Sequence, residues 1–339
     1  MRFNDITLEA LEYVLPTETV TSGQIESELS ETMQRLNLPR GLLESLTGIS
    51  ERRVWPLSMK PSEAATAAAT KAIDVSGISP DEIGCLINTS VCRDFLEPSV
   101  ACIVHGNLKL SRHCLNFDVS NACIGFFNAI ELLSMMIESG KIKYGLVVNG
   151  ETSGELLAST VKRLKNNSTT IEEYRSNFAS LTLGSAGVAA IIGPGKYSNT
   201  NHRLNGMVNM ADTRFNNLCI GQHDQMKSDA TALMKHGVNL AHATWKLAEQ
   251  ELENWSDAAI DVYIPHQVSL KNIEMLNNVL KITPARQQLI FMKFGNMGPA
   301  SIPVTLKMAE ENGKLPLGSH IAMLGIGSGL NCSMLSLTW

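Results

Sequence analysis

The segment Asp118-Val-Ser-Asn-Ala-Cys-Ile-Gly-Phe-Phe-Asn128 turns an alternating strand into an amphipathic helix, with one cysteine, Cys123, at the changeover. The strand reads from Cys114 to Val119. The helix reads from Phe126, Phe127, Ile130, Leu133, Met136 and Ile137, three and four residues apart, and Gly140 ends it. A helix start offers unpaired backbone N–H groups and the positive end of the dipole, so a thiol placed there is expected to lean toward thiolate. Taken alone, Cys123 fits equally well as a nucleophile or as a buried structural thiol.

Working outward, the chain repeats itself. Shifted by 173 residues, Cys123–Lys141 lies over Asn296–Lys314 with six of 19 positions identical; residue usage alone would give roughly one. A shift of 177 lays Glu82–Thr89 over Ala259–His266, which puts His266 at a strand end. Each half then predicts a helix (62–73; 231–252), a buried strand (84–88; 261–264) and a last apolar strand (144–149; 321–325). Continuous apolar strands alternating with helices imply parallel-type sheets covered on both faces, stacked as a duplicated α/β body with a division at 1–175 and 176–339. Functional residues of such folds gather at strand C-terminal ends, where Cys123, His266 and Asn296 fall at related places.

Composition narrows the setting. The 339 residues are 44% hydrophobic and 18% charged, with a net charge of −5 and scattered basic residues. No nucleic-acid or anionic-membrane partner is suggested. The acidic N-terminus, Met1-Arg-Phe-Asn-Asp-Ile-Thr-Leu-Glu9, does not read as a signal peptide, so a cytoplasmic protein is expected. Two long uncharged stretches, 176–195 and 321–339, are broken by glycine, serine or asparagine and read as strand, turn, strand rather than membrane spans. Seven cysteines without paired CxxC spacing predict reduced thiols and no structural zinc.

With these residues in view, the chain resembles the thiolase superfamily, and within it the β-ketoacyl-ACP synthase III-like condensing enzymes. The motifs are Thr47-Gly-Ile-Ser-Glu-Arg-Arg53, Asn121-Ala-Cys123, Pro265-His-Gln267, Gly295-Asn-Met-Gly298 and Gly325-Ile-Gly-Ser-Gly329. The resemblance implies a thiolase-like α-β-α-β-α layered fold and an acyltransferase without metal or cofactor. It implies that Cys123 takes an acyl group from a thioester, with its own N–H and that of Ser328 as the oxyanion hole. It gives His266 and Asn296 the enolate oxygen of a second thioester.

Departures from the synthase III pattern point to a branch. Leu42 and Leu46 stand where a tryptophan and an arginine usually grip coenzyme A, and Val268-Ser269 replaces the Ala-Asn that usually follows His-Gln. Glu97, in Arg93-Asp-Phe-Leu-Glu-Pro-Ser99, replaces an aromatic residue. A decarboxylating enzyme gains its carbanion by losing CO2, whereas a carboxylate serves an enzyme that removes a proton. Glu97 therefore resembles the glutamate by which the olefin-biosynthesis branch, which joins two fatty acyl-CoAs without decarboxylation, supplies a base to the neighbouring subunit; without that resemblance it reads as a solvated loop carboxylate.

The alternatives are a decarboxylating synthase III and a non-catalytic dimer partner. A degradative thiolase would need a second cysteine where Gly325 stands. The partners implied are fatty acyl-CoA substrates, a second copy of the chain in a homodimer, and acyl carrier protein or downstream enzymes of the olefin pathway. Met135, Met136, Met292 and Met297 could line an alkyl channel or fill the core.

Overall fold

A computed structural model describes all residues, Met1–Trp339. Nine strands form one mixed sheet: β1 (Arg2–Val14), β2 (Ile83–Asn88), β3 (Leu115–Asp118), β4 (Tyr144–Glu151), β5 (Ala186–Pro194), β6 (Arg203–Ala211), β7 (Val262–Pro265), β8 (His320–Gly327) and β9 (Asn331–Thr338). The helices that cover it are α1 (Pro61–Ser76), α2 (Val100–Asn107), α3 (Gly125–Glu138), α4 (Ala230–Glu251), α5 (Leu270–Leu280) and α6 (Ser301–Glu311).

Strand order is β3-β2-β4-β5-β1-β6-β9-β8-β7. From the β1/β6 junction outward, the first half runs β1-β5-β4-β2-β3 and the second β6-β9-β8-β7, with the same directions: antiparallel between the first three strands, parallel beyond. The duplication thus holds strand by strand, except that the second half has no counterpart of β3. Each half is mixed rather than parallel throughout, because its last strand runs back along the strand before it; β8 returns as β9 through a turn of three residues, 328–330. Strand β5 lies between β1 and β4, antiparallel to both. In the stretch 176–195 the first arm is a 3-10 turn, Phe178–Thr182, not a strand.

The core shows the layering. Residues of α3 (Phe126, Phe127, Ile130, Leu133) and α6 (Ile302, Val304, Leu306) share one cluster with strands of both halves, including Ile87, Val147, Ile264 and Leu335. Helices α1 and α2 pack on the far face of the first half, and α4 and α5 on that of the second. The result is α-β-α-β-α. The alanine face of α1 (Ala64, Ala65, Ala68, Ala69, Ala72) is fully buried, and it approaches the sheet so closely that a Cβ on Gly150 would stand 2.0 Å from the Pro61 carbonyl. Small residues on both surfaces make that spacing possible. Met297 lies in the central core and Met136 packs against it, whereas Met135 and Met292 are on the surface. No helix is long and apolar enough to cross a membrane.

Candidate active site

Cys123 precedes α3, in a turn where Ala122 takes a left-handed backbone (φ 44°) and Ile124 N–H donates to the Asn121 carbonyl at 3.1 Å. A non-glycine residue in this region is uncommon and is held by its surroundings. The turn is clasped by amides: Asn331 Nδ2 donates to Asn121 Oδ1 (3.1 Å), and Asn121 Nδ2 to Asn128 Oδ1 (2.8 Å). Strand β8 passes directly beneath, and a Cβ on Gly327 would lie 3.3 Å from Cys123 N. At Gly325 it would meet the Phe127 ring at 2.7 Å and Ile124 at 3.0 Å. The second cysteine of a degradative thiolase has no room there.

Ser328 N–H takes part in no hydrogen bond within the chain, and Cys123 N–H meets only its own sulfur. Backbone donors bound to no other residue, beside a thiol, can receive an oxyanion. The thiol itself departs from the expectation. Burial pushes it up to about 12, with the charges of Glu151 and Cys219 adding to the shift, so it rests protonated. Loss of water outweighs the helix start because Cys123 lies two residues before the first residue of α3.

The second half brings its own groups to the same ends of the strands. His266 follows β7, with its main-chain N–H donating to the Leu324 carbonyl (2.7 Å). Its ring Nδ1 is buried without a partner, and burial lowers the imidazole to about 4. It is therefore a neutral ring at neutral pH. Asn296 is pinned by its main chain to the segment 182–184, its N–H donating to the Thr182 carbonyl and its carbonyl accepting from Gly184 N–H, both at 2.9 Å. Its Oδ1 accepts from Gly298 N–H (3.0 Å), which fixes the amide and leaves Nδ2 free to donate.

Two residues to which the sequence reading gave no role, Gln267 of the quoted Pro265-His-Gln267 motif and Glu151, hold this arrangement. Gln267 Oε1 accepts from Ile290 N–H (2.8 Å) and Phe291 N–H (3.1 Å) while its Nε2 donates to Thr305 Oγ1 (3.1 Å), so the end of β7 is tied to the loop that leads to Asn296. Glu151, last in β4, is a buried carboxylate whose Oε1 accepts from Val91 N–H (2.8 Å) and Asn149 Nδ2 (3.1 Å). Burial raises it to about 7. The clue was a charge closing the otherwise uncharged strand 144–150.

Glu97 stands apart. It lies on the exposed loop between β2 and α2 and makes no hydrogen bond or ion pair within the chain, so a single chain does not assemble it with the other groups. The base of the loop is fastened by Asp94, which accepts from Ser62 N–H (3.0 Å) and Ser62 Oγ (2.6 Å). Beyond it Phe95 and Leu96 are solvent-facing, Leu96 to 93%.

A thiol beside backbone donors bound to no other residue, with a neutral imidazole and a free amide brought to related strand ends of a duplicated α/β fold, defines a class of thioester-handling enzymes, and comparison agrees. The profile of 3-oxoacyl-[acyl-carrier-protein] synthase III matches residues 117–212 and that of its C-terminal region residues 251–339. Over the whole of both chains, the protein is 40% identical to the acyl-CoA:acyl-CoA alkyltransferase of Xanthomonas campestris pv. campestris and 36% identical to that of Shewanella oneidensis. A β-ketoacyl-[acyl-carrier-protein] synthase III from Clostridioides difficile is 26% identical over 88% of this chain and 89% of its own. The crystal structure of cerulenin-bound OleA from Xanthomonas superposes with a TM-score of 0.98 at 40% identity, covering 100% of this chain and 98% of that one. A cysteine-to-serine variant of that OleA, with bound lauric acid and lauroyl-CoA, gives 0.97 at 39% identity, covering 99% and 100%. The chain belongs to the synthase III-like, thiolase-fold transferases, in the family of the acyl-CoA:acyl-CoA alkyltransferases.

Proposed function

We propose that this protein catalyses the non-decarboxylative Claisen condensation of two fatty acyl-CoA thioesters to a β-ketoacyl product, through an acyl-Cys123 intermediate. The observation that carries the reading is Cys123 set against two backbone donors bound to no other residue, with His266 and Asn296 supplied by the other half. In the first step the Cys123 sulfur attacks the thioester carbonyl, whose oxygen collects negative charge between the N–H groups of Cys123 and Ser328; coenzyme A then leaves. In the second, the carbonyl of another acyl-CoA accepts from His266 and from Asn296 Nδ2. A neutral imidazole and an amide donate without adding charge to the site, and preplaced donors of this kind stabilise an enolate as it forms.

An α-proton must also be removed, and Glu97 of the partner subunit is the base in this reading. Leu115 and Phe117 are exposed on β3, an edge strand, and Phe95 and Leu96 flank Glu97 on the neighbouring loop. An unpaired apolar edge invites pairing with a second copy, and a twofold dimer would carry Glu97 toward the partner's Cys123. The reading takes the enzyme to be a cytoplasmic homodimer, in keeping with seven free cysteines. The chemistry requires no metal or cofactor, since the thioesters supply both electrophile and leaving group.

Deuterium at the α-carbon of the acyl-CoA tests the proposal. It should slow condensation while leaving formation of acyl-Cys123 unchanged. Equal condensation rates for labelled and unlabelled substrate, with condensation established as the slow step, would argue against proton abstraction.

A further inference from the structure

Glu97 sits on a loop tip with no grip of its own. Phe95, Leu96, Glu97 and Pro98 are all exposed, and none of them makes a hydrogen bond within the chain. A base takes a proton from carbon efficiently only when it is held close to the productive geometry, and an error of about 1 Å costs about 10²-fold. The direction of Glu97 must therefore be set at the feet of the loop.

Beyond β2 the chain runs on beside the end of β4 and is tied to it step by step. Thr89 N–H donates to the Val148 carbonyl (2.9 Å), Gly150 N–H donates to Ser90 Oγ (2.8 Å), and Val91 N–H donates to Glu151 Oε1 (2.8 Å). Cys92 follows, with its thiol 3.7 Å from the Thr152 carbonyl and both its N–H and its thiol reaching the Glu151 carboxyl. From behind, Asn149 Nδ2 donates to Glu151 Oε1 (3.1 Å) and to Thr89 Oγ1 (3.3 Å). Asn88, Thr89, Ser90, Asn149 and Glu151 are all buried. Burying a carboxyl is costly unless donors meet it, and the donors here belong to the loop, so carboxyl and loop hold each other. Asp94, gripping Ser62 at the start of α1, is the last fastening before the tip. The far foot is fixed separately, by Ser99 Oγ accepting from Cys102 N–H (3.1 Å) and by Asp118 accepting from Val100 N–H (3.2 Å) and Ala101 N–H (2.9 Å). Glu151 also borders the Asn296 turn, where a Cβ on Gly298 would stand 3.7 Å from its Cδ. A test must therefore separate an effect on the loop from an effect on the site of its own chain.

We infer that Glu151, with Asp94 after it, is a positioning residue for Glu97: the two carboxyl groups fix the foot of the loop from which Glu97 reaches the site of the partner subunit. Glu151 then acts on condensation in the partner's site and not in that of its own chain. The inference rests on the reading of Glu97 as a base supplied across the dimer.

Subunit exchange separates the two sites. Glu151→Ala should lose condensation by about 10²-fold while its acyl-Cys123 adduct, followed by intact mass with a long-chain acyl-CoA, still forms. Mixed with Cys123→Ala, it should regain about a quarter of wild-type condensation, because its intact Cys123 is served by a Glu97 whose loop is anchored. Mixed with Glu97→Gln it should regain none, since one site receives no carboxylate and the other receives one from a loosened loop. The reverse pattern, recovery with Glu97→Gln and none with Cys123→Ala, would place Glu151 in the site of its own chain and overturn the inference. So would a folded Glu151→Ala that condenses at the wild-type rate or fails to acylate. If circular dichroism shows Glu151→Ala unfolded, Asp94→Ala enters the same two pairings, and wild-type condensation or the reverse pattern there overturns the inference. A control mixture of Glu97→Gln with Cys123→Ala guards the underlying reading: no recovery in it, with exchange confirmed by native mass spectrometry, removes the shared base itself.

Discussion

Cys123, His266 and Asn296 could each be nominated from the sequence because the duplication gave three chemically unlike residues related positions. Their protonation states could not. A helix start argued for a thiolate, while burial and a neighbouring carboxylate, both produced by tertiary packing, push the thiol up to about 12. The raised carboxyl of Glu151 was not legible for the same reason: the charge closing strand 144–150 was visible, but its burial is a product of tertiary packing. If the roles are as proposed, intact-mass analysis after incubation with a long-chain acyl-CoA should show one adduct per chain on Cys123, none in Cys123→Ala, and a greatly slowed reaction in Cys123→Ser. His266→Ala and Asn296→Ala should keep the adduct and lose condensation by about 10²–10³-fold each. Loss of the adduct in folded His266→Ala would make His266 an activator of the thiol instead.

Glu151 also sets a pH dependence of stability. Its carboxyl is raised from the ordinary 4.5 to about 7, so the folded protein retains a proton that the unfolded chain releases. The stability linked to that proton is complete below the unfolded value and is lost as pH rises through the folded one. Relative to Glu151→Gln, the wild-type Tm should therefore fall between about pH 4.5 and 7. A difference in Tm that is constant across this range would mean that the carboxyl is not shifted by folding.

At the scale of elements, the strands and long helices were legible from apolar periodicity, and most ends agree within three residues. Pro61–Ser76 extends the predicted 62–73, and Val262–Pro265 shifts 261–264 by one. Strands β5 and β9 were read as second arms of strand–turn–strand stretches, but β1, β6 and the antiparallel directions of the four were not legible, because an apolar run does not encode the direction of its neighbour. Nor was the 3-10 turn at Phe178–Thr182, whose uncharged Ser180, Leu181 and Thr182 are buried without forming a strand. This region positions Asn296 through contacts that leave no space: a Cβ on Gly184 would stand 1.9 Å from the Phe294 carbonyl. Gly184→Ala must push the Asn296 loop away. We expect it to cost about 1–3 kcal/mol, read as a lower Tm, and to impair condensation more than acylation. Condensation and acylation falling equally would show that the loop serves both steps.

For the whole molecule, the layered duplication brings the strand ends of both halves to one site, yet leaves Glu97 on an exposed loop. In the proposed reading a dimer would supply what one chain lacks. Glu97→Gln should acylate normally and fail to condense, and after subunit exchange with Cys123→Ala about a quarter of wild-type activity should return, because half the dimers are mixed and each has one complete site of two. No recovery, once native mass spectrometry has confirmed exchange, would return Glu97 to its own chain's site or to solvent.

The source of the carbanion is the central claim, and product analysis reaches it most directly. One sample receives a single long-chain acyl-CoA and the other acetyl-CoA with a malonyl thioester of acyl carrier protein. The account predicts coenzyme A release in the first sample, with a β-keto acid built from two acyl chains or the ketone left by its spontaneous loss of CO2. Product only in the sample that contains the malonyl thioester would contradict it and identify a decarboxylating synthase.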